Sequence, residues 1–234
     1  MTRMKRSYKA ADVAPAGGGY GVTLDGKPLR TPAKAPLTVP SRALAEAVAA
    51  EWRAQGEEIE LAALRLTRLA STGIDLVTPR RAEVAAEVAR YAGTDLVCYR
   101  AGHPPQLARR QHAAWQPLID WATLRYDAAL EVTVGVVPIA QPVASLRALA
   151  AAVAAYPPLE LAALHLATAA SGSLVLALAL LEGRLDAEEA FAAAQLDESF
   201  EIELWGEDAE LAQRRVLLQD DIALARRFID LLRT

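Results

Sequence analysis

Residues 161–181, LAALHLATAASGSLVLALALL, form the longest apolar run in the chain, and such a run has few places to go. A membrane-crossing helix needs about 20 mainly apolar residues. Here His165, Thr168, Ser171, Gly172 and Ser173 interrupt the run, and only Leu174 to Leu181 is unbroken. The pattern therefore predicts a helix buried on all sides within a bundle rather than a stable membrane insertion. Composition agrees. Of 234 residues, 53% are hydrophobic, with Ala and Leu dominant, and both lose little entropy in a helix.

Residues 18–40 follow a different period. Tyr20, Val22 and Leu24 alternate with smaller or polar residues, and Asp25-Gly26 supplies the positive-φ pair of a tight hairpin. Pro28, Pro32, Pro36 and Pro40 then limit any strands to short or edge segments. After Pro40, Ser41 caps a predicted helix with Leu44, Val48 and Trp52 at fourfold spacing. Residues 59–72 are ambiguous. Thr78-Pro79 predicts the start of a helix carrying Val84, Val88 and Tyr91. A strong helix begins at Pro105, with Leu107, Gln111, Ala114, Trp115, Leu118 and Ala122 on one face. VTVGVVPIAQP, residues 132–142, alternates like a strand, and Ser145 is placed to cap the next helix. Asp186 with Glu189 has the form of a capping box, and Asp208 is placed to cap the last helix. The fold class expected is α+β: a small N-terminal β-rich domain, residues 1–62, followed by a larger all-helical C-terminal domain, residues 63–234.

Several function classes find no support. The net charge of −4 offers no global attraction to nucleic acid. GVTLDGKP, residues 21–28, spaces two glycines and a lysine like a phosphate loop. Pro28 stands where that loop needs Ser or Thr, and Asp25-Gly26 reads as a hairpin instead. Gly17-Gly18-Gly19 lacks the spacing and setting of a dinucleotide site. His103, His112 and His165 have no metal-ligand spacing, so with a single cysteine no structural metal site is expected. Cys98 is the single cysteine, which excludes an internal disulfide and reads as a buried structural thiol in a reducing compartment. The basic start MTRMKRSYKA is not followed by an apolar stretch and does not read as a secretory signal.

Charge is segregated along the chain. Residues 182–210 hold eleven carboxylates against Arg184 alone, a local charge of −10 that leaves +6 elsewhere. Within this segment Phe191, Ala194, Glu198, Ile202 and Trp205 follow one helical face. Glu198 is the misfit. It is either paired with an arginine such as Arg68 or Arg215, exposed on a wide helix, or part of a mixed acidic and aromatic binding surface. Trp52 and Trp115 lie on apolar stripes and read as core, whereas Trp121 is offset from its stripe and reads as partly exposed.

Seven segments together resemble a known family: AAEW at 49–52, LRLTRLASTGID at 64–75, TDLVCYRA at 94–101, RRQHAAWQPLIDWA at 109–122, VTVGVVPIAQP at 132–142, TAASGSLVLALALLEG at 168–183 and LDESFEIELWGED at 196–208. They are similar to the ATP-twelve chaperone family, assembly factors for the catalytic head of the F-type ATP synthase. The resemblance spans residues 20–208 and implies two domains, no cofactor and a client, the unassembled alpha subunit. It implies that the acidic residue at Glu198 matters for chaperone function and that loss of the tryptophan at Trp52 impairs assembly. Relatives often carry Gln where this chain has Glu201, so the resemblance implies no specific role for that position. With the acidic and aromatic surface read above, the partner-binding residues expected are Glu198, Asp197, Phe200, Trp205 and Trp121. Trp52, Trp115 and Asp95 are expected in structural or functional support. The protein is expected to be a monomer in the bacterial cytoplasm, with the mitochondrial matrix as the alternative. Two other functions stay open: an enzyme using carboxylates such as Asp95 and Glu198, and a permanent subunit of some complex.

Overall fold

Most strand residues of this chain precede its first helix because paired glycines and spaced prolines shape its beginning, while alanine and leucine periodicity governs most of the rest. The computed structural model describes residues 4–234, and the first three residues of the basic start lie outside them. It divides into two compact units. Of the described residues, the first comprises 4–81, 157–163 and 227–234; the second comprises 82–156 and 164–226.

In the first unit β1 (Met4–Lys5) pairs antiparallel with β6 (Glu58–Ile59). A separate four-stranded sheet contains β2 (Ala11–Ala16), β3 (Gly19–Leu24), β4 (Lys27–Pro28) and β5 (Thr38–Val39), with β3 pairing all three others. Gly17 and Gly18, at φ +55° and +85°, make the two-residue turn from β2 to β3. Asp25 and Gly26, at +48° and +78°, make the turn from β3 to β4. Both are the primed turns whose twist matches that of the strands. Asp25 also accepts from the backbone N–H of Ala10 (2.8 Å) and Lys9, and these bonds hold its carboxyl below the usual range. The phosphate-loop look-alike is thus a hairpin.

Helix α1 (Arg42–Arg53) packs on the sheet. The Ser41 hydroxyl caps it, accepting from Leu44 N at 3.0 Å. Its stripe of Leu44, Val48 and Trp52 is buried beside Val22 and Val39. The ambiguous stretch resolves into β6, a 3-10 turn at Leu61–Ala63, and α2 (Arg65–Thr72). A π-helical turn, Gly73–Val77, continues α2. Thr78 therefore does not begin a helix. It stays in the right-handed helical region at the end of that turn, and its hydroxyl donates to Gly73 O at 2.8 Å.

The second unit is helical. It contains α3 from residue 82 (Arg81–Arg90), α4 (Pro105–Tyr126), α5 (Val143–Ala154), α7 (Leu174–Leu181), α8 (Ala187–Ala194) and α9 (Leu196–Trp205). To these it adds residues 164–171 of α6 (Pro158–Ser171) and residues 209–226 of α10 (Ala209–Arg233). The apolar run forms two helices, because Gly172 at φ +67° ends α6 and the Ser173 hydroxyl caps α7 through Leu176 N at 3.0 Å. All eight residues of α7 are buried. Each of its leucines contributes roughly 2 kcal/mol of burial. Among the described residues no helix is long and apolar enough to cross a membrane.

Two local readings fail here. Residues 132–142 form no full strand. Only β8 (Thr133–Val134) pairs, parallel to β7 (Tyr99–Arg100), before Gly135 at φ +93° turns the chain away. Ser145 lies inside α5, and its hydroxyl donates to Ala129 O at 2.6 Å instead of capping the helix. The N-cap position belongs to Pro142.

Candidate functional site

The predicted acidic and aromatic stripe spans two helices, not one. Gln195, at φ −110° and ψ 27°, breaks the backbone between α8 and α9. The break separates Phe191 and Ala194 from Glu198, Ile202 and Trp205. α8 begins with the expected capping box: Glu189 N to Asp186 Oδ1 at 2.8 Å and Asp186 N to Glu189 Oε2 at 2.9 Å.

Most carboxylates of residues 182–210 are satisfied within the unit. Glu182 pairs with Arg125 at 3.2 Å, Glu203 with Arg110 at 2.7 Å and Glu207 with Arg215 at 3.2 Å. The Arg110 contact holds the Glu203 carboxyl below its ordinary range. Asp208 caps α10 through Leu211 N at 2.8 Å. Asp197 accepts from Gln111 Nε2 at 2.7 Å. Glu188, Glu201 and Glu210 are exposed to water. Glu198 differs from all of these, being half-buried with no side-chain hydrogen bond or ion pair among the described residues. Arg215, one of the partners considered for it, is occupied by Glu207, Ser199 and Gln195.

Glu198 lines a cleft of about 520 Å³ within the second unit. Ala194 and Gln195 adjoin it, Ala169 to Gly172 at the end of α6 form one wall, and Arg214 and Leu218 of α10 form another. Thr94, Leu96, Tyr99, Val136 and Pro138 complete the lining. The Tyr99 hydroxyl is buried and has no hydrogen-bond partner among the described residues. A buried polar group left this way calls for an explanation, since it has lost water without replacement. Sequence reasoning missed Tyr99, Gln195 and Arg214. They reach the cleft from three distant parts of the chain, and no local spacing links them.

The other expected contact residues scatter. Trp205 is 85% exposed at the end of α9, next to exposed Leu204. Phe200 is buried beneath the Arg110 guanidinium, 5.2 Å from its ring centroid, so it faces inward rather than toward a partner. Asp197 is likewise committed to Gln111. Trp121 is half-buried, its ring edge-on to Tyr126 at 5.5 Å. Exposed Val134, Val136 and Val137 add apolar surface, and Val136 also lines the cleft.

The three supporting residues occupy structural positions. Trp115 is fully buried, donating from Nε1 to Ala193 O at 2.8 Å, with the Arg100 guanidinium 5.1 Å from its ring. In the first unit, Trp52 donates from Nε1 to Thr67 Oγ1 at 3.1 Å and meets Tyr8 edge-on at 5.7 Å. Asp95 is fully buried and accepts from Ser173 Oγ, Val175 N (3.0 Å) and Val97 N (3.3 Å). Burial nevertheless pushes its carboxyl up to about 6. Burial, and then the nearby Asp95 charge, push the Cys98 thiol up to about 12, which leaves it protonated and inert. No group of three or more His, Cys, Asp or Glu among the described residues could hold a metal ion.

Comparison with known proteins places this arrangement in context. Residues 5–123 match the family model described as ATP12 chaperone protein. The Atp12 protein of Paracoccus denitrificans is 41% identical, with a TM-score of 0.94 over 98% of each chain. A variant of that protein with one aspartate changed to lysine matches equally well. A chaperone candidate from Agrobacterium tumefaciens is 43% identical, with a TM-score of 0.93 over 97% of this chain and 86% of its own.

Proposed function

Because the chain belongs to the ATP12 chaperone family, whose members assist ATP synthase assembly, we propose that its client is the unassembled alpha subunit of the F-type enzyme. The chaperone covers a surface of alpha that later meets beta, and beta displaces it. The observation that carries this reading is the Glu198 cleft: a half-buried carboxylate with no hydrogen bond or ion pair among the described residues, in a lining that also includes Tyr99. Nearby in sequence, α9 ends in exposed Leu204 and Trp205. Apolar anchors set around a few polar contacts are the usual make-up of an interface hot spot. Large exposed apolar side chains otherwise invite aggregation, so their presence favours a partner.

An enzyme built on Asp95 and Glu198 is less well supported. Asp95 does not line the cleft, and its oxygens are used to cap α7. The bacterial relatives support a bacterial cytoplasm as the working compartment.

Purified alpha subunit, mixed with this protein in the absence of beta, should co-elute with it and stay in solution. Glu198→Lys should weaken that complex by about 1–3 kcal/mol, roughly 5- to 150-fold in Kd, without lowering the melting temperature. Trp205→Ala should also weaken binding and spare folding, because the side chain packs on little of its own unit. No complex at micromolar concentrations, with aggregation of alpha unaffected, would refute the assignment.

A further inference from the structure

A second cleft, of about 630 Å³, lies wholly within the first unit. Trp52 and Leu64 are buried in its lining, and Leu61 and Leu76 at its edge are 57% and 49% exposed. Its charged groups are Arg30, Arg68 and Asp75. Asp75 is already committed, accepting from Thr31 Oγ1 at 2.7 Å and Ala33 N at 2.9 Å. Arg30 donates to Lys34 O at 2.7 Å. Arg68 is exposed and makes no side-chain hydrogen bond or ion pair among the described residues.

The surrounding unit reinforces that sign. Residues 1–81, 157–163 and 227–234, which include the first unit, hold fifteen Lys and Arg against ten Asp and Glu, while those of the second unit hold ten against nineteen. The first set therefore carries +5 and the second −9. An apolar lining below a cationic edge, in a basic unit, selects a ligand that is apolar and anionic at once.

We propose that this cleft binds an extended peptide segment in which a leucine or phenylalanine lies next to a glutamate or aspartate. The apolar side chain enters between Leu61 and Leu76 toward Trp52, and the carboxylate meets the Arg68 guanidinium. Arginine suits this task because its planar fork can hold a carboxylate through two hydrogen bonds. The cleft volume lies within the roughly 300–1,000 Å³ of ligand pockets, enough for two or three side chains. A fatty acid shares the chemistry of an apolar body and a carboxylate. Leu61, Leu76 and Arg68 of its lining are all exposed, however, so an acyl chain lying along them would stay partly in water, which favours the peptide. The proposal does not depend on the identity of the client, so it can fail while the alpha complex survives, and the reverse.

The test uses the full chain at low salt and a fluorescein-labelled peptide, Gly-Ser-Leu-Glu-Phe-Ser-Gly, read by fluorescence anisotropy. Two companion peptides replace Glu with Gln or Lys. The Glu peptide should bind about tenfold more tightly than the Lys peptide, the effect of one charge-assisted contact. Arg68→Glu should reverse that preference. Leu76→Ser should weaken binding of all three peptides. Circular dichroism melts accompany both variants, and since each residue is exposed, either variant suffices if the other is unstable. Equal affinity for the three peptides, an unchanged preference in Arg68→Glu, or binding of laurate with none of the peptides would each overturn the proposal.

Discussion

The Asp95 carboxyl should leave a measurable signature in the pH dependence of stability. It is fully buried, and its folded-state pKa is raised to about 6, from an ordinary value near 4. Between those two values the folded protein holds a proton that the unfolded chain has released. Stability from this group is therefore fully present at low pH and falls as pH rises through 4 to 6. A shift of about two units is worth about 3 kcal/mol. Roughly 2 kcal/mol of that should be lost between pH 4.5 and 7.5, since part is already gone at the lower limit.

Asp95→Asn removes the titration while nearly preserving shape. The amide cannot accept on both sides, so one of Ser173 and Val175 faces a second donor, at a cost of about 1–3 kcal/mol at every pH. Urea unfolding followed by tryptophan fluorescence gives both stabilities across the pH range. Subtracting variant from wild type cancels the other titrating groups. The difference should shrink by about 2 kcal/mol from pH 4.5 to 7.5. A flat difference would show that the three donors balance burial completely, and a difference growing with pH would reverse the argument.

Two further substitutions probe the first unit. Trp52→Arg loses the Thr67 hydrogen bond and places an unpaired charge among buried groups. It should cost about 3 kcal/mol or more, seen as a melting point lower by at least roughly 6 °C, and an unchanged melt would contradict the buried position. Glu51→Ala removes the carboxylate that accepts from Leu66 N (2.7 Å) and Thr67 N (2.9 Å) at the start of α2. The loss should be about 1–2 kcal/mol by chemical denaturation, with Glu51→Gln recovering part of it, and equal stabilities of Ala and Gln variants would argue against capping.

Glu51 and Asp95 also show where sequence reading stops. Each caps a helix from elsewhere in the chain: Glu51 from fifteen residues before Leu66, Asp95 from eighty before Val175. Nothing in the residues near α2 or α7 announces those partners. The Glu198 cleft was legible only as a misfit carboxylate. Tyr99, Arg214 and the end of α6 join it through folding, and the break at Gln195 removes Phe191 from the face that helical spacing gave it.

Features decided within about four residues were set by the sequence itself. These include the Asp25-Gly26 turn, the Ser41 cap, the Asp186 and Glu189 box, and the buried stripe of α1, because glycine conformations, side-chain reach and helical period act locally. Tertiary structure decided the rest. It spread residues 135–137 into an exposed loop despite their alternation, drew Phe200 under Arg110, and left Glu198 without a partner among the described residues. Those outcomes depend on which distant groups compete for the same side chain, and that competition exists only once the chain has packed.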